Sequence, residues 1–83
     1  MTVPKPVRDQ YRRQIATLPP VRQVPRMEGF TAGWEAAKAA GGPLTQQAMD
    51  AYAEDIRYRF THQQPTLING FKDGWAAALE AAE

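Results

Sequence analysis

The apolar positions of the chain fall into stripes of helical period, interrupted by prolines and glycines. Val7, Tyr11, Ile15 and Leu18 recur at spacings of three and four, which places them on one face of a helix. Pro19 and Pro20 end that helix, because the residue before a proline disfavours the α region. Residues 19–26 hold three prolines and read as an extended connector. A second helix is predicted from about Arg26 to Ala40. Met27, Phe30 and Trp34 make its large face, with Gly29, Gly33, Ala36 and Ala40 as a flat strip beside it. Gly41-Gly42-Pro43 stops it. Thr45 then suits the N-cap of a third helix, with Leu44 placed to pack on Met49 as a hydrophobic staple. Met49, Tyr52, Ile56 and Phe60 form a narrow stripe opposite Asp50, Glu54 and Asp55. Residues 56–60 also alternate with period two, so a short strand competes there; the 3.6-residue period running on from Met49 favours helix. Pro65 closes the segment near Gln63. Thr66 or Asn69 caps a last helix, on which Ile68, Phe71, Trp75 and Leu79 share a face flanked by Gly70, Gly74, Ala77 and Ala81.

Two of these helices carry the same pattern. Gly29–Ala37 and Gly70–Ala78 both read G-F-x-x-G-W-x-A-A, 41 residues apart. A glycine inside a helix costs roughly 0.5–1 kcal/mol relative to alanine. Four of them at matched positions imply that close approach of another backbone offsets the cost. The aromatics belong to a core. The flat strip packs a neighbouring helix, or, at Gly70 and Gly74, serves as a partner or self-association face. The predicted fold is all-α: a small three-helix core with an additional short N-terminal amphipathic helix on a Pro-rich basic arm, and an internal helical repeat. Residues 1–26 make the arm and residues 27–83 the helical core domain. Short connections favour antiparallel neighbours, with the duplicated pair arranged pseudo-symmetrically around the middle helix.

Eighty-three residues suffice for one domain with a thin stability margin. There is no cysteine, so neither a disulfide nor a thiolate metal site contributes, which fits a reducing compartment. The N-terminus has no apolar leader segment, neither end carries a lipidation motif, and no apolar run approaches the ~20 residues of a membrane span. The net charge of +1 conceals an asymmetry. Residues 1–26 carry six basic side chains against Asp9, and residues 27–83 carry four basic against eight acidic. A basic arm therefore precedes an acidic body. The arm can lie on that body, meet nucleic acid or an acidic protein, or remain a solvated tail.

The chain holds little that is chemically reactive. Serine and cysteine are both absent and histidine occurs once, at His62 near a helix end, where its charge suits the helix dipole. No acids stand at ligand spacing from it. Asp50, Glu54 and Asp55 read as a solvated face, and the glycines belong to helices rather than to a phosphate loop. The sequence predicts no enzyme, no cofactor and no metal. The candidate binding residues are Arg8, Arg12 and Arg13 on the arm, Tyr58 between Arg57 and Arg59, and the exposed parts of the strip at Gly70 and Gly74.

The G-F-x-x-G-W-x-A-A stretches, the preference for Arg over Lys and the Ala-rich helices resemble short accessory proteins of tailed phages that infect actinobacteria. In those proteins such a stretch often forms the C-terminal helix, as Gly70–Ala78 would here. The resemblance covers about a quarter of the chain and brings no catalytic residues; the second copy at Gly29–Ala37 is a departure that makes the pattern look like scaffold. It implies a cytoplasmic protein that occupies a surface of a host or phage protein during infection. A nucleic-acid-associated protein using the arm and a self-assembling scaffold protein are the alternatives.

Overall fold

The computed structural model describes residues 3–82, and all their regular structure is helical. The helices are α1 (Lys5–Gln14), α2 (Pro20–Ala40), α3 (Gln46–Asp55) and α4 (Gln64–Ala82).

Helices α2 and α4 form the centre of the molecule, and their four glycines set how they meet. A Cβ placed on Gly29 would stand 2.1 Å from the carbonyl oxygen of Leu67, and one on Gly33 would stand 2.0 Å from that of Phe71. In return, a Cβ on Gly70 would stand 2.2 Å from the carbonyl oxygen of Arg26, and one on Gly74 2.0 Å from that of Phe30. The backbones touch because no side chain lies between them. Contact positions advance together along both helices, from 29 and 67 to 33 and 71, so α2 and α4 run parallel. Parallel α2 and α4 are what two successive antiparallel connections, α2 to α3 and α3 to α4, would leave. The long pair meets directly rather than around the middle helix, and the two short helices flank it.

The core forms around this contact. Phe30, Trp34, Ala37, Phe71, Trp75 and Ala78 are buried together with Tyr11, Ile15 and Val3. Leu67 is the most enclosed side chain, at 0% exposure. The buried Trp75 indole donates to the carbonyl of Gly42 at 2.9 Å, tying α4 to the α2–α3 connection. Tyr11 stacks on Phe30 with ring centroids 3.9 Å apart, and Tyr52 stacks on Phe71 at 4.4 Å. These pairs are offset by 41 residues in both partners. The same offset relates the buried Ile15 and Ile56. It also relates Gln23, which donates to the carbonyls of Ala16 and Leu18, to Gln64, which donates to those of Arg57 and Arg59.

Several boundaries differ from the sequence expectation. Residues 20–26 are helical, so α2 crosses the anticipated division between residues 1–26 and 27–83. Pro20 stands in the first turn, where its missing N–H would have been unpaired anyway. Pro25 lies inside α2 and is buried, and it leaves the Val21 carbonyl without its usual donor near the exposed helix end. Likewise α1 begins at Lys5 with Pro6 in its first turn, and α4 begins at Gln64 with Thr66 and Asn69 inside it rather than capping it. Helix α3 stops at Asp55, so Phe60 lies beyond it and is exposed instead of completing an apolar stripe. Thr45 does cap α3, accepting the Ala48 amide at 3.1 Å, and Gly41 ends α2 in the left-handed conformation, φ 71°. The arm is docked: Tyr11 and Ile15 are buried, whereas α3 buries no residue outright.

Candidate protein-binding surfaces

Because α2 and α4 run parallel, the connections that precede them lie at the same end of the molecule. Among the described residues, that end carries the four large apolar side chains most open to solvent. Val21 and Val24 stand in the first turns of α2, and Tyr58 and Phe60 in the α3–α4 connection; they are between 71% and 83% exposed. Val24 lines a shallow groove with Arg12, Met27 and Glu28. The Glu28 carboxylate accepts both terminal nitrogens of Arg59, which is adjacent to Phe60. The Glu28–Arg59 pair therefore links the wall of the groove beside α1 to the connection that carries Tyr58 and Phe60. Phe60 stacks on His62 with centroids 5.7 Å apart, which stiffens the loop without covering the ring.

The same end is basic. Arg12, Arg13, Arg22, Arg57 and Arg59 gather there with Glu54 and Asp55. Glu54 pairs with Arg57 at 2.7 Å, both side chains well exposed. The parallel N-termini of α2 and α4 add partial positive charge at this end. Of the residues singled out from sequence, the structure places Arg12, Arg13 and Tyr58 here. Arg8 points elsewhere: its guanidinium donates to the Val3 carbonyl at 3.3 Å. Gly70 and Gly74 are buried under the α2 backbone, so the strip expected to offer a partner face is already used inside the chain. Val21, Val24 and Phe60 were missed. Their signal was available, since Val21 and Val24 are large apolar residues in a proline-rich stretch with no predicted stripe to join.

Two further grooves flank the central pair. Between α1 and α4, Val7, Gln10, Gln14, Asp73 and Glu80 line a groove floored by Tyr11 and Phe30, about 410 Å³ in volume. Its lining is fixed by a hydrogen-bonded triad. Tyr11 donates to Asp73 at 2.8 Å, while Arg26 donates to the Tyr11 oxygen at 2.7 Å and to Asp73 at 2.8 Å. Burial and the neighbouring carboxylate push the Tyr11 phenol well above its ordinary range. It stays protonated at neutral pH and holds structure rather than reacting. Between α2 and α3 lies the other groove, about 690 Å³, walled by alanines over Tyr52, Phe71 and Trp75. Burial, then the nearby Glu28 charge, pushes the Tyr52 phenol up to about 12.

Among the described residues, no group of three or more His, Asp or Glu is arranged to hold a metal ion, and no helix is long and apolar enough to cross a membrane. No family model matches the sequence, and no curated protein or solved structure matches it.

Proposed function

We propose that this chain is a small, non-enzymatic protein-binding module whose contact surface is the end built from the α1–α2 and α3–α4 connections. One observation carries the reading: Val21, Val24, Tyr58 and Phe60 stand open to solvent where the arginines gather. Large exposed apolar side chains that share one end of a small protein and are rimmed by charge favour an interaction site there. Tyrosine and arginine are the side chains that most often anchor such contacts. Tyr58 and Phe60 are the anchors in this reading, with Arg12, Arg57 and Arg59 selecting an acidic partner surface. The scaffold is read as two copies of a 41-residue helical hairpin, fused and packed through their glycines. With the glycine strips occupied within the chain, self-assembly through them is not favoured. The resemblance of Gly29–Ala37 and Gly70–Ala78 to helices of actinobacterial phage accessory proteins supplies the setting, a cytoplasmic protein that occupies a surface of a host or phage protein.

The test is affinity capture from actinobacterial lysate with and without nuclease, with wild type beside Tyr58→Ser/Phe60→Ser. A stoichiometric protein retained by wild type and lost by the variant is the expected result. Equal recovery by both refutes the assigned surface. Recovery that needs intact nucleic acid replaces it with a stacking platform for single strands, a use that an Arg-Tyr-Arg-Phe loop also suits.

A further inference from the structure

The two grooves flanking the central pair are counterparts. Adding 41 to the positions lining the α1–α4 groove, or subtracting 41 where they lie in α4, reproduces the lining of the α2–α3 groove: Tyr11 becomes Tyr52, Phe30 becomes Phe71, and Ala77 becomes Ala36. Their chemistry has diverged at matched places. Where the α1–α4 groove has Gln10, Asp73 and Glu80, the α2–α3 groove has Ala51, Ala32 and Ala39. One scaffold thus holds a polar groove and an apolar one, and each is the control for the other.

We infer that the α2–α3 groove is a second docking site and that its occupant is a basic amphipathic helix of a partner protein. Its walls are alanine methyl groups over Phe71 and Trp75, and alanine side chains offer neither donors nor acceptors. An extended segment would bring unpaired backbone groups into such a groove, whereas a helix satisfies its own. Small side chains on both walls admit a helix at the near end of the usual 8–10 Å interaxial distance. The α2 wall runs from Ala32 to Ala40, about 12 Å at 1.5 Å per residue, enough for two helical turns. The charge at the rim comes from Glu35 and Asp55, both exposed and neither paired with a base among the described residues. Lys38, the nearest base in sequence to Glu35, lies over the Trp34 ring at 5.1 Å from its centroid. An occupant with an apolar face and basic flanks satisfies both the walls and the rim, in the manner of helix-in-groove recognition. The groove borders the Tyr58 end at Asp55, but its alanine walls lie apart from Tyr58 and Phe60, and it does not depend on the function proposed for that end.

The experiment titrates the full chain with a fluorescent 18-residue helical peptide of Leu and Lys, patterned with one apolar face, and with its Leu–Glu twin. Tryptophan emission gives a second readout, compared between wild type and Trp34→Phe so that the change is assigned to Trp75 in the groove. Wild type and Tyr58→Ser/Phe60→Ser should bind the Leu–Lys peptide alike, and at least 10-fold more tightly than the twin. Ala39→Gln/Ala51→Gln should weaken binding at least 10-fold. Its fold should hold, because Gln10 occupies the place matching Ala51 and Glu80 the place matching Ala39. Glu35→Gln/Asp55→Asn, confined to exposed side chains, should weaken binding severalfold and make it insensitive to salt. Equal binding of the two peptides, undiminished binding by both groove variants, or no binding at all overturns the inference. So does loss of binding in the Tyr58→Ser/Phe60→Ser variant alone, which would place the peptide at the loop end.

Discussion

Replacing Gly33 by alanine tests the central contact directly. The new methyl would stand 2.0 Å from the Phe71 carbonyl oxygen and 2.8 Å from its carbon, where ordinary contact begins at 3.4 Å. The obstacle is backbone, which cannot swing aside, so α2 and α4 must separate by more than 1 Å. A radial gap of about 0.5–1 Å forfeits a quarter to a half of the dispersion attraction across it. Here that gap opens beside Phe30, Trp34, Phe71 and Trp75, four of the buried aromatic side chains. Overpacking of this kind costs about 1–3 kcal/mol and occasionally more. Better helix propensity returns about 0.5–1 kcal/mol. A net loss of about 1–2 kcal/mol is expected, against a total stability on the order of 4–12 kcal/mol for this length. Urea unfolding followed by far-ultraviolet circular dichroism would show the midpoint fall by about 1–2 M. Gly42→Ala is the control, since a methyl there meets nothing within 4 Å and should change stability by less than about 0.5 kcal/mol. A Gly33→Ala protein as stable as wild type would refute the close-contact reasoning.

Three other outcomes follow from the same contacts. Asp73→Ala strands Arg26 and Tyr11 and should cost about 1–3 kcal/mol, whereas Arg26→Leu/Asp73→Ala, which copies the pairing of Leu67 with Ala32, should restore most of it; a double-mutant cycle in urea reads the difference. Trp34→Ala and Trp75→Ala should each cost about 3–5 kcal/mol in chemical denaturation, and a loss below about 1 kcal/mol would show that the indole is not core. The folded chain holds the Tyr52 phenol up at about 12, mainly by burial, against an ordinary value of 10. Its contribution is complete below pH 10 and is lost as pH rises toward 12, and the raised Tyr11 phenol acts in the same direction. Denaturation midpoints should therefore fall across that window, while Tyr11→Phe/Tyr52→Phe should flatten the decline.

The helical stripes of Val7, Tyr11, Ile15, Phe30, Trp34, Phe71 and Trp75 were legible because burial on one face imposes a period of 3.6. Thr45 and Gly41 marked ends that depend on local chemistry alone. The start of α2 was not legible. A proline-rich segment has low helix propensity in isolation, and only docking of Pro25 and its neighbours against the rest of the chain makes residues 20–26 helical. Phe60 was misplaced for the converse reason: its spacing extended the α3 stripe, but the chain turns at Ile56 so that α4 can enter beside α2. Of the candidate site, Arg12, Arg13 and Tyr58 were visible as exposed charge and an exposed ring. Their placement at one end with Val21, Val24 and Phe60 was not, because Val21 and Val24 lie more than thirty positions from Tyr58 and Phe60, and the two connections share an end only because α2 and α4 run parallel.

Composition and pattern by themselves determined that the chain is helical, that its two tryptophan helices belong to the interior, and that it has neither serine nor cysteine to offer as a nucleophile or a thiolate ligand. Each of these depends on residue type or on neighbours within a turn or two. Tertiary structure decided the rest. It assigned the glycine strips to each other, which removed Gly70 and Gly74 from the surface. It also set two connections side by side to form an apolar, basic end, and gave two grooves of one shape opposite chemistry. Such relations depend on which backbones can approach within contact distance, and four missing Cβ atoms permit that approach at one place in this molecule.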